Sequence, residues 1–175
     1  MGGAKGDRSL VLVAPDGRAR LRRGLLDEAL GEQALQHLVE GAALERGGDR
    51  EDEAIIAADH LVFIFPLWLG TLPAIFKGFL ERVLQPDLVE PSKKGKYVKF
   101  LKGKSARVIM TMGMPGFIYR WYFGAFALRM LKRNILGFVG VSPVRATIHG
   151  MIEAVSQDKR QSWLANAESL GRNAG

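Results

Sequence analysis

Five consecutive apolar residues, Leu61-Val62-Phe63-Ile64-Phe65, stopped by Pro66, constrain this chain more than any other stretch. A strand with one wet face alternates, whereas an unbroken run suits a strand buried on both faces at the centre of a parallel sheet. Pro66 ends the run because it has no N–H to give to a ladder. A helix signature follows: Leu72, Ile75, Phe76, Phe79, Leu80, Val83 and Leu84 recur at offsets of 3, 4, 7, 8, 11 and 12 and make one face. Thr71 is placed to cap that helix. The 16 residues from Leu61 to Phe76 do not read as a membrane span. They fall short of the roughly 20 required, and Pro66, Gly70 and Pro73 interrupt them. The unit is a buried strand, a loop and a helix.

The rest of the chain repeats that alternation. Ser9–Ala14 reads as a strand leading into turn chemistry at Pro15-Asp16-Gly17, and Arg20–Leu30 reads as a helix. Gln33–Glu40 is open between a strand and more helix, Gly47-Gly48 breaks the chain, and Asp49–Ala58 reads as a short helix. Ala106–Thr111 is a second buried strand, running into Met112-Gly113-Met114-Pro115-Gly116. Tyr122–Leu136 reads as a helix, Pro143–His149 as a last strand, and Ser156–Leu170 as a closing amphipathic helix. A length of 175 residues with 47% hydrophobic side chains fits one domain, 1–175, with 1–8 expected to be disordered. Strand–helix alternation implies right-handed crossovers and a parallel sheet covered on both faces. Ligands then bind beyond the carboxyl ends of the strands, so Pro15–Leu21, Pro66–Gly70 and Met112–Tyr119 are the loops that matter.

Composition removes several function classes. The absence of cysteine excludes disulfides, thiolate metal sites, iron–sulfur clusters and a cysteine nucleophile. His37, His60 and His149 are scattered, which argues against a histidine-rich metal site. The polar start lacks a signal-like apolar segment, and Gly6 stands where myristoylation needs Ser or Thr, so the expected compartment is the cytoplasm. The net charge of +7 is matched by Lys93, Lys94, Lys96, Lys99, Lys102, Lys104 and Arg107, a stretch without acids. It reads as a solvated basic loop, with an anionic partner as the sharper alternative; without a recognisable module, nucleic acid is not the expected partner. Gly103-Lys104-Ser105 imitates the end of a P-loop, but Val98 replaces its first glycine and a strand follows. No Gly-x-Gly-x-x-Gly follows a strand either.

Phe65-Pro66-Leu67-Trp68-Leu69-Gly70-Thr71-Leu72-Pro73-Ala74, continuing through Lys77-Gly78 to Glu81-Arg82-Val83, carries the most specific pattern. It resembles the flavodoxin-like NAD(P)H:quinone reductase family, with its Pro-x-Trp-x-x-x-x-Pro-Ala-x-x-Lys-Gly-x-x-Asp-Arg-Val; Glu81 replaces the usual Asp. Leu101-Lys102-Gly103-Lys104-Ser105-Ala106 is similar to the family's lead into its fourth strand. Thr111-Met112-Gly113, with Tyr119 eight residues after the threonine, is similar to its flavin-contacting loop. The resemblance covers Leu61 to Gly150, while the amino-terminal third matches only in plan.

That resemblance implies a three-layer sandwich: a five-stranded parallel sheet in the order 2-1-3-4-5 with helices on both faces. It implies FMN rather than FAD, NAD(P)H as co-substrate, a small-molecule electron acceptor of quinone type, and a homodimer without membrane insertion. Pro66, Leu67, Trp68, Leu69, Gly70, Thr111, Met112, Gly113, Pro115 and Gly116 become the cofactor-binding residues, and Tyr119 the residue expected over the flavin. Phe117, Tyr119, Trp121, Tyr122, Phe123 and Phe126 suit a buried dimer patch. Ala125 stands where some relatives carry a histidine, so a proton relay through that position is not expected. The family presents hydroxyls between its first strand and first helix; Asp16–Leu21 has none, which leaves Arg18 and Arg20 as candidate phosphate ligands. That gap also keeps a rival open: a non-catalytic flavodoxin-fold subunit, for instance on a membrane transporter. The acceptor itself and the choice between NADH and NADPH are not readable.

Overall fold

The apolar run forms the hub of the sheet. The structure, a computed structural model, describes residues 9–13, 20–23, 55–84, 89–91 and 97–172. Its strands are β1 (Ser9–Val13), β2 (Arg20–Arg23), β3 (His60–Pro66), β4 (Val89–Pro91), β5 (Tyr97–Lys99), β6 (Ser105–Thr111) and β7 (Val144–His149). Its helices are α1 (Ala74–Val83), α2 (Gly116–Trp121), α3 (Phe126–Met130), α4 (Gly137–Val139) and α5 (Gln157–Arg172), with a π-helical turn over Leu131–Leu136. β1, β3, β6 and β7 run parallel and adjacent. The chain thus combines a mainly parallel sheet with helices.

Successive strand residues point to opposite faces. Leu61, Val62 and Phe63 of β3 are all buried, as is every residue from Ala106 to Met110 of β6, so both faces of these strands are covered. On one face Phe76 of α1 packs against Phe63 and Phe65 at ring-centroid distances of 5.8 and 4.8 Å. Phe79, Leu80 and Val83 complete the buried stripe of α1, while Ile75, counted on that face by spacing, is exposed. Thr71 does not cap this helix. Pro73 occupies the N-cap, and Thr71 pairs with Trp68 instead.

Several expectations need correction. The sheet is not all parallel, because β2 lies antiparallel to β1 at the edge, with Val13 opposite Arg20. Only residues 14–19 separate the two strands, and a parallel crossover takes about a dozen or more. Arg20–Arg23 is therefore strand, not the start of a helix. Tyr122–Leu136 is not one helix either. Gly124 and Ala125 have φ of 59° and 49°, which separates α2 from α3. The π turn then brings Leu131 and Leu136, five residues apart, onto one side, and both are fully buried.

The basic stretch is not a single solvated loop. β4 and β5 form an antiparallel hairpin, and Lys99 donates to the carbonyl of Gly137 at 3.0 Å. Lys104 donates to the carbonyls of Ile56 and Ala58 at 2.6 and 2.5 Å, and Arg107 is buried within β6. Burial and the neighbouring Arg145 hold the Arg107 guanidinium below its usual basicity. Residues 1–8, the turn at Pro15–Gly17, Arg18, and the elements read at 24–54 lie outside the described residues, as do Lys93, Lys94 and Lys96.

Candidate functional site

Pro66, Thr111 and His149 end three adjacent strands and stand in one row of the ladder. The chain leaves the sheet at the same edge from each. After β3 the ladder continues one residue, with the Leu67 N–H donating to the Thr111 carbonyl at 2.8 Å. The loop then closes on itself. Trp68 N–H donates to Thr71 O at 3.1 Å and Thr71 N–H to Trp68 O at 2.9 Å, around Leu69 and Gly70. Both central residues are left-handed, with φ of 48° and 77°. Glycine adopts this geometry freely, but a leucine there costs about 1–2 kcal/mol. Leu69 is fully exposed and Trp68 is 45% exposed, so neither side chain is held by core packing.

The loop after β6 is built differently. Met112 N–H donates to His149 O at 2.9 Å, Ile152 N–H to Met112 O at 3.2 Å, and Met151 N–H to Met114 O at 3.1 Å. Gly150 seals this seam: a Cβ there would lie 2.5 Å from Gly116 N and 2.7 Å from Met114 O. The sequence reading passed over Gly150, although a glycine directly after a strand is a signal of close backbone approach. Pro115 then N-caps α2, whose first residue is Gly116. His149 itself turns its ring onto Trp163 of α5, with centroids 4.4 Å apart, and burial holds its imidazole below the ordinary value.

Tyr119 departs most from expectation. Its side chain lies in the hydrophobic core, and its hydroxyl accepts the Leu128 N–H at 3.2 Å. Burial pushes its phenol above the usual value despite that bond. The hydroxyl is thus turned inward onto α3. Tyr119 anchors the aromatic segment, while Phe117, Trp121, Tyr122, Phe123 and Phe126 around it are exposed.

A Cβ added at Gly70 or at Gly113 would meet nothing within 4 Å, so the backbone of both loops is open to close approach. Trp68 adds a half-exposed aromatic face beside Gly70. The structure thus brings Pro66 to Gly70 and Thr111 to Gly116 to one edge of the sheet. Arg20 begins β2 opposite Val13, at the carboxyl end of β1, and is strand and not a helix N-terminus. Among the described residues no cluster of three metal-ligating side chains occurs.

This topology and loop pair define a flavodoxin-like protein. The family model described as flavodoxin-like fold matches residues 21–170, and the chain belongs to that family. An FMN-dependent NADH:quinone oxidoreductase of Macrococcus caseolyticus is 27% identical over 161 residues, covering 90% of this chain and 72% of the relative. The ribosyldihydronicotinamide dehydrogenase [quinone] of Mus musculus is 30% identical over 120 residues, 66% of this chain and 52% of the relative. An uncharacterized NAD(P)H oxidoreductase of Haemophilus influenzae is 27% identical, with 66% of this chain and 57% of the relative covered. The chain therefore spans little more than half the length of some of these relatives. Among solved structures, a Streptococcus mutans protein superposes with a TM-score of 0.63 at 33% identity, over 82% of this chain and 73% of that one. The NAD(P)H:quinone oxidoreductase of Methanothermobacter marburgensis does so with a TM-score of 0.60 at 25% identity, over 83% of this chain and 72% of that one.

Proposed function

We propose that this chain is an FMN-dependent NAD(P)H oxidoreductase with a quinone-type acceptor. The observation that carries the reading is the pair of loops that leave the adjacent ends of β3 and β6, each with an open glycine backbone, Gly70 in one and Gly113 in the other. FMN, once bound, would supply two-electron redox chemistry between NAD(P)H and a quinone, the overall exchange being NAD(P)H, a proton and quinone to NAD(P)+ and hydroquinone. The protein's part is positioning. Trp68 offers the ring a wall, and Pro66, Leu67, Leu69 and Gly70 shape the slot on one side. Thr111, Met112, Gly113, Pro115 and Gly116 shape it on the other, on a loop that the Gly150 seam keeps rigid. The phosphate falls to Arg18 or Arg20, since guanidinium groups bind oxyanions bidentately.

The same proposal includes a homodimer. Five exposed aromatic residues between Phe117 and Phe126 form the kind of patch that aromatic-rich interface centres use. It also includes a cytoplasmic location, with no described helix long and apolar enough to cross a membrane. The non-catalytic reading rests on the hydroxyl-free Asp16–Leu21, most of which lies outside the described residues, and on the basic stretch Lys93–Arg107, whose Lys99, Lys104 and Arg107 are engaged within the fold; nothing in the described site favours it. The test is direct: FMN-loaded protein should oxidise NADH or NADPH over many turnovers when a quinone is added, and about one equivalent per flavin in its absence under anaerobic conditions. A protein that stays colourless with added FMN and shows no quinone-dependent oxidation would overturn the assignment.

A further inference from the structure

The face of the sheet turned away from α1 carries a buried cation without a counter-charge. Phe63, which meets α1, pairs with Val108, so the neighbouring Arg107 points to the opposite face. There Arg107 of β6 stands directly opposite Arg145 of β7 in the ladder. Arg107 is only 6% exposed, and its Nε is buried with no hydrogen-bond partner. Its Nη1 makes one long contact, to the Thr147 hydroxyl at 3.5 Å; Thr147 follows Arg145 on the same face of β7. A buried guanidinium left unpaired is costly, and a second cation beside it adds to the cost. Burial and Arg145 together lower the basicity of Arg107. No Asp or Glu occurs from Pro91 to Ile152, so neither strand brings a carboxylate. Among the described residues no ion pair joins either arginine to one.

We propose that Arg107 and Arg145, with the Thr147 hydroxyl, bind a phosphate group, free or on a small metabolite, at a site separate from the strand-end loops. Arg107 stands four residues before Thr111 in β6, about 13 Å along a strand that rises about 3.3 Å per residue. With Nη1 turned to Thr147, Nε and Nη2 remain as the fork that takes two oxygens of an oxyanion side-on. Arg145 is exposed, so it opens the site to solvent and adds the second positive charge. The Thr147 hydroxyl is free to donate to a further oxygen while it accepts from Nη1. Charge selects the ligand class. Two guanidiniums match a phosphate of about −1.5 to −2 at neutral pH, whereas a carboxylate leaves about half of their charge unmet.

The experiment titrates inorganic phosphate into FMN-saturated protein by calorimetry at fixed ionic strength, so that the phosphate of FMN already fills any flavin site. Wild type is compared with Arg107→Met, Arg145→Met and, for an equal change of charge at an exposed position, Arg133→Met. Binding should weaken about tenfold to a hundredfold in the first two variants and by less than about twofold in Arg133→Met. Arg107→Met should be at least as stable as wild type without phosphate, because it removes an unpaired buried charge. Arg145→Met alters an exposed side chain and keeps the test intact should Arg107→Met fail to fold. Glycerol phosphate that binds tighter than inorganic phosphate assigns the site to a phosphorylated metabolite, and the reverse order assigns it to the free ion. No saturable binding at about 10 mM phosphate, equal weakening in Arg133→Met, or displacement by acetate as readily as by phosphate would overturn the proposal. The site uses neither flavin loop, so the same variants titrated without FMN read it even where the flavin assignment fails.

Discussion

Two loops leave adjacent parallel strands at the same edge of the sheet, and they are built in opposite ways. The loop after β3 closes on itself from Trp68 to Thr71, presents Trp68 and Leu69 to solvent, and carries backbone strain. The loop after β6 is stitched to the end of β7 by three backbone hydrogen bonds, sealed by Gly150, and anchored by the buried Tyr119. A site needs both kinds of wall. The stitched loop is fixed by the fold itself, while the self-contained turn leaves the side chains of Trp68 and Leu69 exposed. The contrast predicts that stability resides in one loop and ligand affinity in the other.

The largest effect should come from cutting the anchor. Tyr119→Ala removes a fully buried aromatic and should cost about 3–5 kcal/mol of stability, read as a shift in the urea midpoint. Trp68→Ala, on the other loop, should change stability by less than about 1 kcal/mol because nearly half of the side chain is already in water. Equal costs at the two positions would erase the distinction. Gly150→Ala comes next. A methyl 2.5 Å from Gly116 N forces the seam apart, and overpacking of this kind costs about 1–3 kcal/mol in thermal or chemical unfolding. A neutral Gly150→Ala would show that the seam gives freely.

The smallest effect belongs to pH. Burial against Trp163 holds His149 below its ordinary value of 6.5. The unfolded chain then takes up a proton more readily than the folded one. The contribution of His149 is full above the unfolded value and is lost as pH falls through that window toward the folded one. Melting temperatures should therefore decline on acidification from about pH 7.5 to about pH 5, and His149→Gln should flatten that decline. An identical slope in the variant would place the acid sensitivity elsewhere.

The central strands were legible because burial on both faces leaves an unbroken apolar run, as at Leu61–Phe65, and a helix face leaves its period, as at Leu72–Val83. Both loops could be located for the same reason, since they begin where those strands stop. Orientation was harder to read. Tyr119 lies within an aromatic segment, and no local pattern tells which ring turns inward; that depends on the left-handed break at Gly124 and Ala125, which returns α3 over its hydroxyl. Arg20–Arg23 read as helix because alternation over four residues is too short to register, whereas the hairpin depends on pairing with β1. Lys99, Lys104 and Arg107 looked like one charged run, yet each meets a different part of the fold through tertiary contacts.

The central claim is that the two open glycine backbones and Trp68 form a flavin slot. Titrating the protein with FMN and following flavin fluorescence tests it most directly. The account predicts saturable quenching at low micromolar FMN, weakened by about 1–3 kcal/mol in Trp68→Ala while that variant remains folded. Absence of quenching at tens of micromolar, roughly −6 kcal/mol of binding, would contradict it.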